Sequence, residues 1–404
     1  MQSGNIKTTR DDWRGALDSA SRHSPFLARM QQRFPDISAL LAQGEVDQAL
    51  ALAHKAGEGA VNVAQSLRRR KGAIALVTAM ADLAGAWDLG QVSATLSDFA
   101  DTALDEAIAA AFAERYPDEP VCGFTVLALG KHGSRELNYS SDIDPILIFD
   151  PATLPHKSRE EPVEAAVRIG RRVSELLTAR DSDGYVFRVD LRLRPSPEAT
   201  PIALPVEAAI SYYESTALGW EQAAFIRART AAGDRSLGSY FLHAIRPFIW
   251  RRSLDFGAID AIMDISRRIR DHYAQGQAFG PGYDLKRGRG GIREVEFFAQ
   301  VHQLIHGGRN PDLRSGDTRQ ALAALCAAGI IDAETAARLD SGYVLLRTIE
   351  HRLQMVDDRQ THELPERAES LDNVAGLHGL SDGQALLGLL EPHIRWIEIG
   401  RAHV

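Results

Sequence analysis

Three short stretches with strand character sit between two long blocks of helix-period sequence, and this arrangement limits what the chain can fold into. Residues 124–129 and 146–149 are apolar runs, and residues 185–193 alternate with period two, the pattern of a half-buried strand. Ahead of them, residues 12–118 are rich in alanine and leucine, with apolar side chains returning every three and four positions through 74–84 and 96–112. The same helical period marks 161–180 and returns from 206 onward. It is broken there by Gly288-Arg289-Gly290-Gly291 and resumes through 321–354. Pro365 ends the last element that the pattern locates. The reading is an α+β chain, predominantly helical, with an α/β portion in its middle. Its expected divisions are an N-terminal helical region over 1–118, a core over 119–240, a helical domain with a glycine-rich loop over 241–398, and a tail over 399–404.

Composition narrows the class. A chain of 404 residues exceeds one ordinary domain, and 45% hydrophobic residues suffice for extended cores. A net charge of −8 argues against a broad nucleic-acid surface, although local arginines can still surround a phosphate. Cys122 and Cys326 are too few for a disulfide framework or a structural zinc site. No run of about 20 apolar residues is present, and the N-terminus lacks an apolar signal core. The expectation is a soluble cytoplasmic protein with neither nucleic acid nor membrane as partner.

The chemistry concentrates in the middle. Asp142 and Asp144 are two apart just ahead of the run 146–149, so on a strand both carboxylates project to one face. Two such groups repel unless a divalent cation lies between them, and magnesium favours carboxylates together with phosphate oxygens. A third acid, Asp190, shares its expected strand face with Arg192 and Arg194, which suits metal and phosphate together; solvated salt bridges on an edge strand are the alternative. Gly133-Ser134 stands between the first strand and a short helix, where backbone can approach a phosphate. Pro145 just after the acid pair marks an edge or a bulge. Glu221 and Arg229 fall on one broad helix side with Arg227 pointing elsewhere. Gly290 and Gly291 open a helix near Lys286, Arg289 and Arg293, a second place for a phosphate or a plain glycine turn. Glu294 and Glu296 are left open between metal, water and arginine. His302 and His306, four apart with no third ligand, read as packing histidines.

Taken together, Gly-Ser, Asp-x-Asp and the later Asp resemble the DNA polymerase β-type nucleotidyltransferase superfamily. The stretch Gly130-Lys131-His132-Gly133-Ser134-Arg135-Glu136-Leu137-Asn138-Tyr139-Ser140-Ser141-Asp142-Ile143-Asp144 is similar to the bacterial glutamine synthetase adenylyltransferase/adenylyl-removing enzyme family. The likeness continues through Val189–Pro195, Trp220-Glu221-Gln222-Ala223, Arg227-Ala228-Arg229 and Gly290-Gly291-Ile292-Arg293-Glu294-Val295-Glu296-Phe297. It runs on to Glu350-His351-Arg352-Leu353-Gln354 and Gln360-Thr361-His362-Glu363-Leu364-Pro365. The resemblance implies a polymerase β-like core flanked by helical domains. It also implies magnesium on Asp142, Asp144 and Asp190, with Gly133, Ser134, Arg192, Arg194, Glu221, Arg229, Gly290, Gly291 and Arg293 around the nucleotide and phosphate.

Members carry two such halves, one attaching AMP to a tyrosine of glutamine synthetase and one removing it by phosphorolysis. The transferase half usually reads Val-Asp where Arg293-Glu294 stands, so the resemblance points to the removing half. Adenylylated glutamine synthetase, ADP or ATP, inorganic phosphate and a nitrogen-signalling PII-type protein are the implied partners. The opposite reaction, adenylylation with ATP, and a regulatory module without turnover are the alternatives. A template-free RNA nucleotidyltransferase is disfavoured by the acidic balance. Finally, Ile399-Gly400-Arg401-Ala402-His403-Val404 match an adapter read through to a stop codon, and the natural gene is expected to continue beyond about Glu398.

Overall fold

A computed structural model describes residues 8–251 and 278–400. The helical reading of 252–277 and the last four residues of the expected tail lie outside the described residues. The chain is predominantly helical with one small mixed sheet, the α+β architecture expected. Strands β1 (Phe124–Leu129), β2 (Asp144–Phe149), β3 (Ala203–Pro205) and β4 (Arg229–Gly233) lie in the order β3-β2-β1-β4. β1 pairs antiparallel with β2 and with β4, while β2 pairs parallel with β3.

Both faces of this sheet are covered, which explains why β1 and β2 read as continuous apolar runs. Phe124, Val126, Ala128, Leu147 and Phe149 turn to one core, which they share with the helices Val63–Leu83, Leu89–Arg115 and Pro162–Thr178. Leu127, Leu129, Ile146 and Ile148 turn to another, under Val206–Ser215, Gly219–Phe225 and Arg235–Ala244. A third core joins Ile292–His306, Ala333–Asp357, Ala368–Leu377 and Gly383–Gly400. The helices start where short polar side chains hold free N–H groups: Asn62 accepts from Gln65 at 2.9 Å, Asp88 from Gln91 at 2.8 Å and Asp332 from Thr335 at 2.7 Å.

Three expectations are corrected. Residues 185–193 form no strand; Val189 makes a single parallel bridge to Ile143, with Asp190 N–H donating to the Ile143 carbonyl at 2.9 Å. Beyond it the Asp190 carboxylate takes the Arg192 N–H at 3.0 Å, and Pro195 and Pro197 follow. That local bond and the missing proline donors end the ladder despite the alternation. Pro145 lies inside β2, opposite Ala128, and neither at an edge nor in a bulge. Since Ile143 exchanges bonds with 188 and 190, the Pro145 nitrogen points the same way, and the β1 ladder loses nothing. Two helices, Ala368–Leu377 and Gly383–Gly400, follow Pro365.

Candidate active site

β1 ends and β2 begins at one place, because Leu129 and Asp144 are cross-strand partners. The chain between them opens with one helical turn, Gly130–Gly133. Gly130 has a φ of +57°, and a Cβ there would lie 2.5 Å from Asp144 Oδ2, so glycine lets the turn pass over the carboxylate.

In front of this junction is a cavity of about 500 Å³. Asp142, Asp144 and Asp190 line it, as do Lys131, Arg192, Arg227, Lys286, Arg287 and Arg293. Leu193, Trp220, Ala223, Ala224 and Phe297 supply an apolar part, and Ser141, Gln300, Gln360 and His362 add neutral polar groups. Burial, then the charge of Asp190 and that of Asp142, push the Asp144 carboxyl up to about 7, against Lys286 and Arg192. Asp144 makes no ion pair among the described residues. Asp142 accepts from Arg188 Nε at 2.5 Å and Gln360 Nε2 at 2.8 Å. Asp190 accepts from Arg192 Nη2 at 2.5 Å, and Arg192 holds its carboxyl below the usual range.

Among the described residues no three acidic, histidine or cysteine groups converge as they stand to hold an ion. Asp142 and Asp190 are turned to their arginines instead. The donor set nevertheless fits a hard divalent cation. Asp142, Asp144 and Asp190 face the cavity together, and the like charges around Asp144 create the conflict that a cation removes.

Of the other expected residues, Arg192 and Arg293 reach the cavity. Arg194 does not line it and clamps its own loop, donating to the carbonyls of Leu191 at 2.7 Å and Pro197 at 2.6 Å. Gly133 and Ser134 border a separate hollow, and a Cβ on Gly133 would meet the carbonyls of Arg227 at 2.1 Å and Ala128 at 2.6 Å. Glu221 is buried, accepting from Leu218 N–H at 2.7 Å and Tyr212 Oη at 3.2 Å. Arg229 binds Asp101 at 2.6 and 2.9 Å, away from the cavity. Gly290, at φ +77°, packs against the Ile394 carbonyl, while Gly291 caps the helix Ile292–His306. Arg289 is exposed and pairs with Glu398 at 3.7 Å. His302 and His306 stack on each other at 6.2 Å.

Several lining residues carried no assignment in the sequence. Arg227, read as pointing elsewhere, reaches the cavity and lies 3.2 Å from Glu296 and 2.9 Å from Thr318 Oγ1. Burial works to raise the Glu296 carboxyl, but Arg227, Lys131 and Lys286 bring it down to about 2, so Glu296 positions an arginine. Lys131 Nζ is 2.8 Å from both oxygens of Glu350, which Arg347 approaches at 3.1 Å and His362 at 2.5 Å. Lys131, the hydrogen bond from His362 and Arg347 outweigh burial and keep the Glu350 carboxyl well below the usual range, while burial brings the Lys131 ammonium down to about 7. Gly130-Lys131, Gln360 and His362 all fell inside quoted motifs, and this was the only signal for them.

A small sheet that sets carboxylates and cations around one cavity defines a site suited to phosphoryl chemistry. The family profile described as glutamate-ammonia ligase adenylyltransferase matches residues 17–244, and that of GlnD PII-uridylyltransferase matches 263–396. A bifunctional glutamine synthetase adenylyltransferase/adenylyl-removing enzyme of Caulobacter vibrioides is 45% identical over 382 residues, 90% of this chain and 39% of that protein. Its namesakes in Xanthobacter autotrophicus and Bradyrhizobium diazoefficiens are 43% and 40% identical, covering 85% and 96% of this chain and 36% and 41% of their own lengths. The chain belongs to the glutamate-ammonia ligase adenylyltransferase family. It spans about two fifths of the length of these curated relatives.

Proposed function

We propose that this chain removes AMP from an adenylylated tyrosine of glutamine synthetase by phosphorolysis, releasing ADP. The observation that carries the reading is the cavity itself, with four carboxylates (Asp142, Asp144, Asp190 and Glu296) and six cations on its wall. In the reaction an oxygen of inorganic phosphate bonds to the AMP phosphorus, and the bond to the tyrosine oxygen breaks. Tyrosinate leaves with that electron pair and later takes a proton. Its pKa of about 10 makes it a tolerable leaving group without a dedicated acid.

Asp142, Asp144 and Asp190 would hold magnesium, which when bound neutralises charge gathering on the phosphate oxygens. Arg192, Lys286 and Arg293 are the candidates for gripping the two phosphate groups. Trp220, Phe297 and the alanines beside them offer an apolar wall for the adenine base. Arg293 favours removal over attachment. It is a residue by which the sequence resembles the removing half, and it lines the cavity, where a second anionic reactant needs a further cation. The match of 263–396 to a PII-uridylyltransferase profile supports a PII-type signalling protein as a further partner.

The direction is tested by incubating the chain with adenylylated glutamine synthetase and magnesium, with and without phosphate. ADP that forms only with phosphate is the expected product. AMP transferred from ATP onto unmodified synthetase, with no release, would reverse the assignment. Arg293→Gln is expected to raise the phosphate concentration for half-maximal rate at least about tenfold, the loss of one charge-assisted contact.

A further inference from the structure

A second hollow, of about 710 Å³, adjoins the catalytic cavity. Gln360 borders both, and Arg188 on the wall of the second bonds Asp142 on the wall of the first. The helices Pro25–Arg33 and Val63–Leu83 form one side, and the segments 180–188 and 357–360 form the other. Seven basic side chains face it against four acidic ones, on a chain whose net charge is −8. Four of the seven are matched: Arg33 with Asp183, Arg68 with Asp181 at 2.6 Å, Lys71 with Asp358 at 3.6 Å, and Arg188 with Asp142 at 2.5 Å. Arg29, Arg180 and Arg359 make no ion pair among the described residues.

Three of the seven gather on one ring, and of these Arg180 makes no ion pair among the described residues. Lys71, Arg180 and Arg188 lie 3.8, 4.6 and 5.4 Å from the centroid of the buried Tyr185, whose hydroxyl accepts from Arg188 at 2.6 Å. Cations gathered this closely repel one another unless an anion joins them, and guanidinium forks match phosphate oxygens in pairs. We propose that this hollow binds a phosphate-bearing small molecule and that the ligand competes with Asp142 for Arg188. Occupancy would then free the Asp142 carboxylate for a cation; that consequence rests on the proposed function, whereas the binding does not.

The test is calorimetric titration of the metal-free chain with inorganic pyrophosphate in excess chelator. Two classes of site are expected. Lys286→Gln with Arg293→Gln removes the catalytic one, and Arg29→Gln, Arg180→Gln and Arg359→Gln together remove the other. These three arginines hold no ion pair among the described residues, so an unchanged melting temperature checks that the fold survives. In the Lys286→Gln/Arg293→Gln background, Asp142→Asn should tighten the remaining site several-fold and Arg188→Gln should weaken it. One class of site, indifferent to the triple substitution, would overturn the proposal. Indifference to Asp142→Asn would overturn the competition, and equal binding of citrate would overturn the assignment to phosphate.

Discussion

Gly130 and Gly133 stand one helical turn apart, and different neighbours hold each to glycine. At Gly130 the nearest atom to an added Cβ is the Asp144 carboxylate, and the backbone is left-handed. Gly130→Ala should therefore cost about 1–2 kcal/mol of stability and, by displacing that carboxylate, weaken Mn²⁺ binding at least about tenfold. Unaltered Mn²⁺ affinity in a spectroscopic titration would refute this account of the turn. At Gly133 the obstacle is backbone on both sides, so Gly133→Ala should lower the melting temperature more than Gly130→Ala does. The carboxylates were legible because spacing and charge bring them out of the sequence. The two glycines were not separable there, since nothing in a glycine tells whether a ligand, a side chain or another strand occupies the missing Cβ. The placing of Glu221 and Arg229 on one helix side failed for a related reason: the helix Gly219–Phe225 ends before Arg227, and Arg229 begins β4, so helical spacing no longer tells which way their side chains point.

Between elements, the central sheet is tied to the helices on either side by buried ions. Arg227 comes from the loop before β4, Glu296 from the helix Ile292–His306 and Thr318 from the next helix, Thr318–Ala327. Arg227→Met leaves Glu296 and Glu136 buried without their cation and should destabilise by about 3–5 kcal/mol. Glu296→Gln in the same chain should recover part of that loss in denaturant unfolding; additive losses would mean that the pair is not coupled. Arg352 binds both oxygens of Asp82 at 2.7 Å and so joins Ala333–Asp357 to Val63–Leu83. Burial opposes the Asp82 charge, but Arg352 and His351 keep its carboxyl well below the ordinary range. The sequence showed these helices through their apolar period, yet it carried no sign of the partners, which are 69 and 270 residues apart. It also failed over 185–193, where period two was present but a side chain took the backbone donor that a strand needs.

Across the whole molecule, buried and half-buried histidines contribute to the response to acid. Burial lowers His132, His302, His351 and His362, and burial with Arg352 brings His378 down to about 4 from 6.5. The folded state prefers these rings neutral, so as pH falls the unfolded chain takes up their protons first. The contribution of these rings is then complete above about pH 6.5 and declines from there toward pH 4. His378→Gln should flatten that decline while leaving stability at pH 8 nearly unchanged. The same loss between pH 8 and pH 5 in variant and wild type would rule the histidine out.

No helix among the described residues is long and apolar enough to cross a membrane. The molecule's shape follows from its cores, which enclose the sheet and leave one carboxylate-lined end open to a cavity. Whether that cavity is where AMP is moved is the central question. It is answered most directly by phosphate-dependent ADP release from adenylylated glutamine synthetase, comparing wild type with Asp144→Asn in saturating magnesium. The account predicts that the wild type releases ADP and that the variant, equally folded, falls by at least about a thousandfold, as for loss of a metal-holding catalytic group. A variant that releases ADP at the wild-type rate would place the chemistry elsewhere.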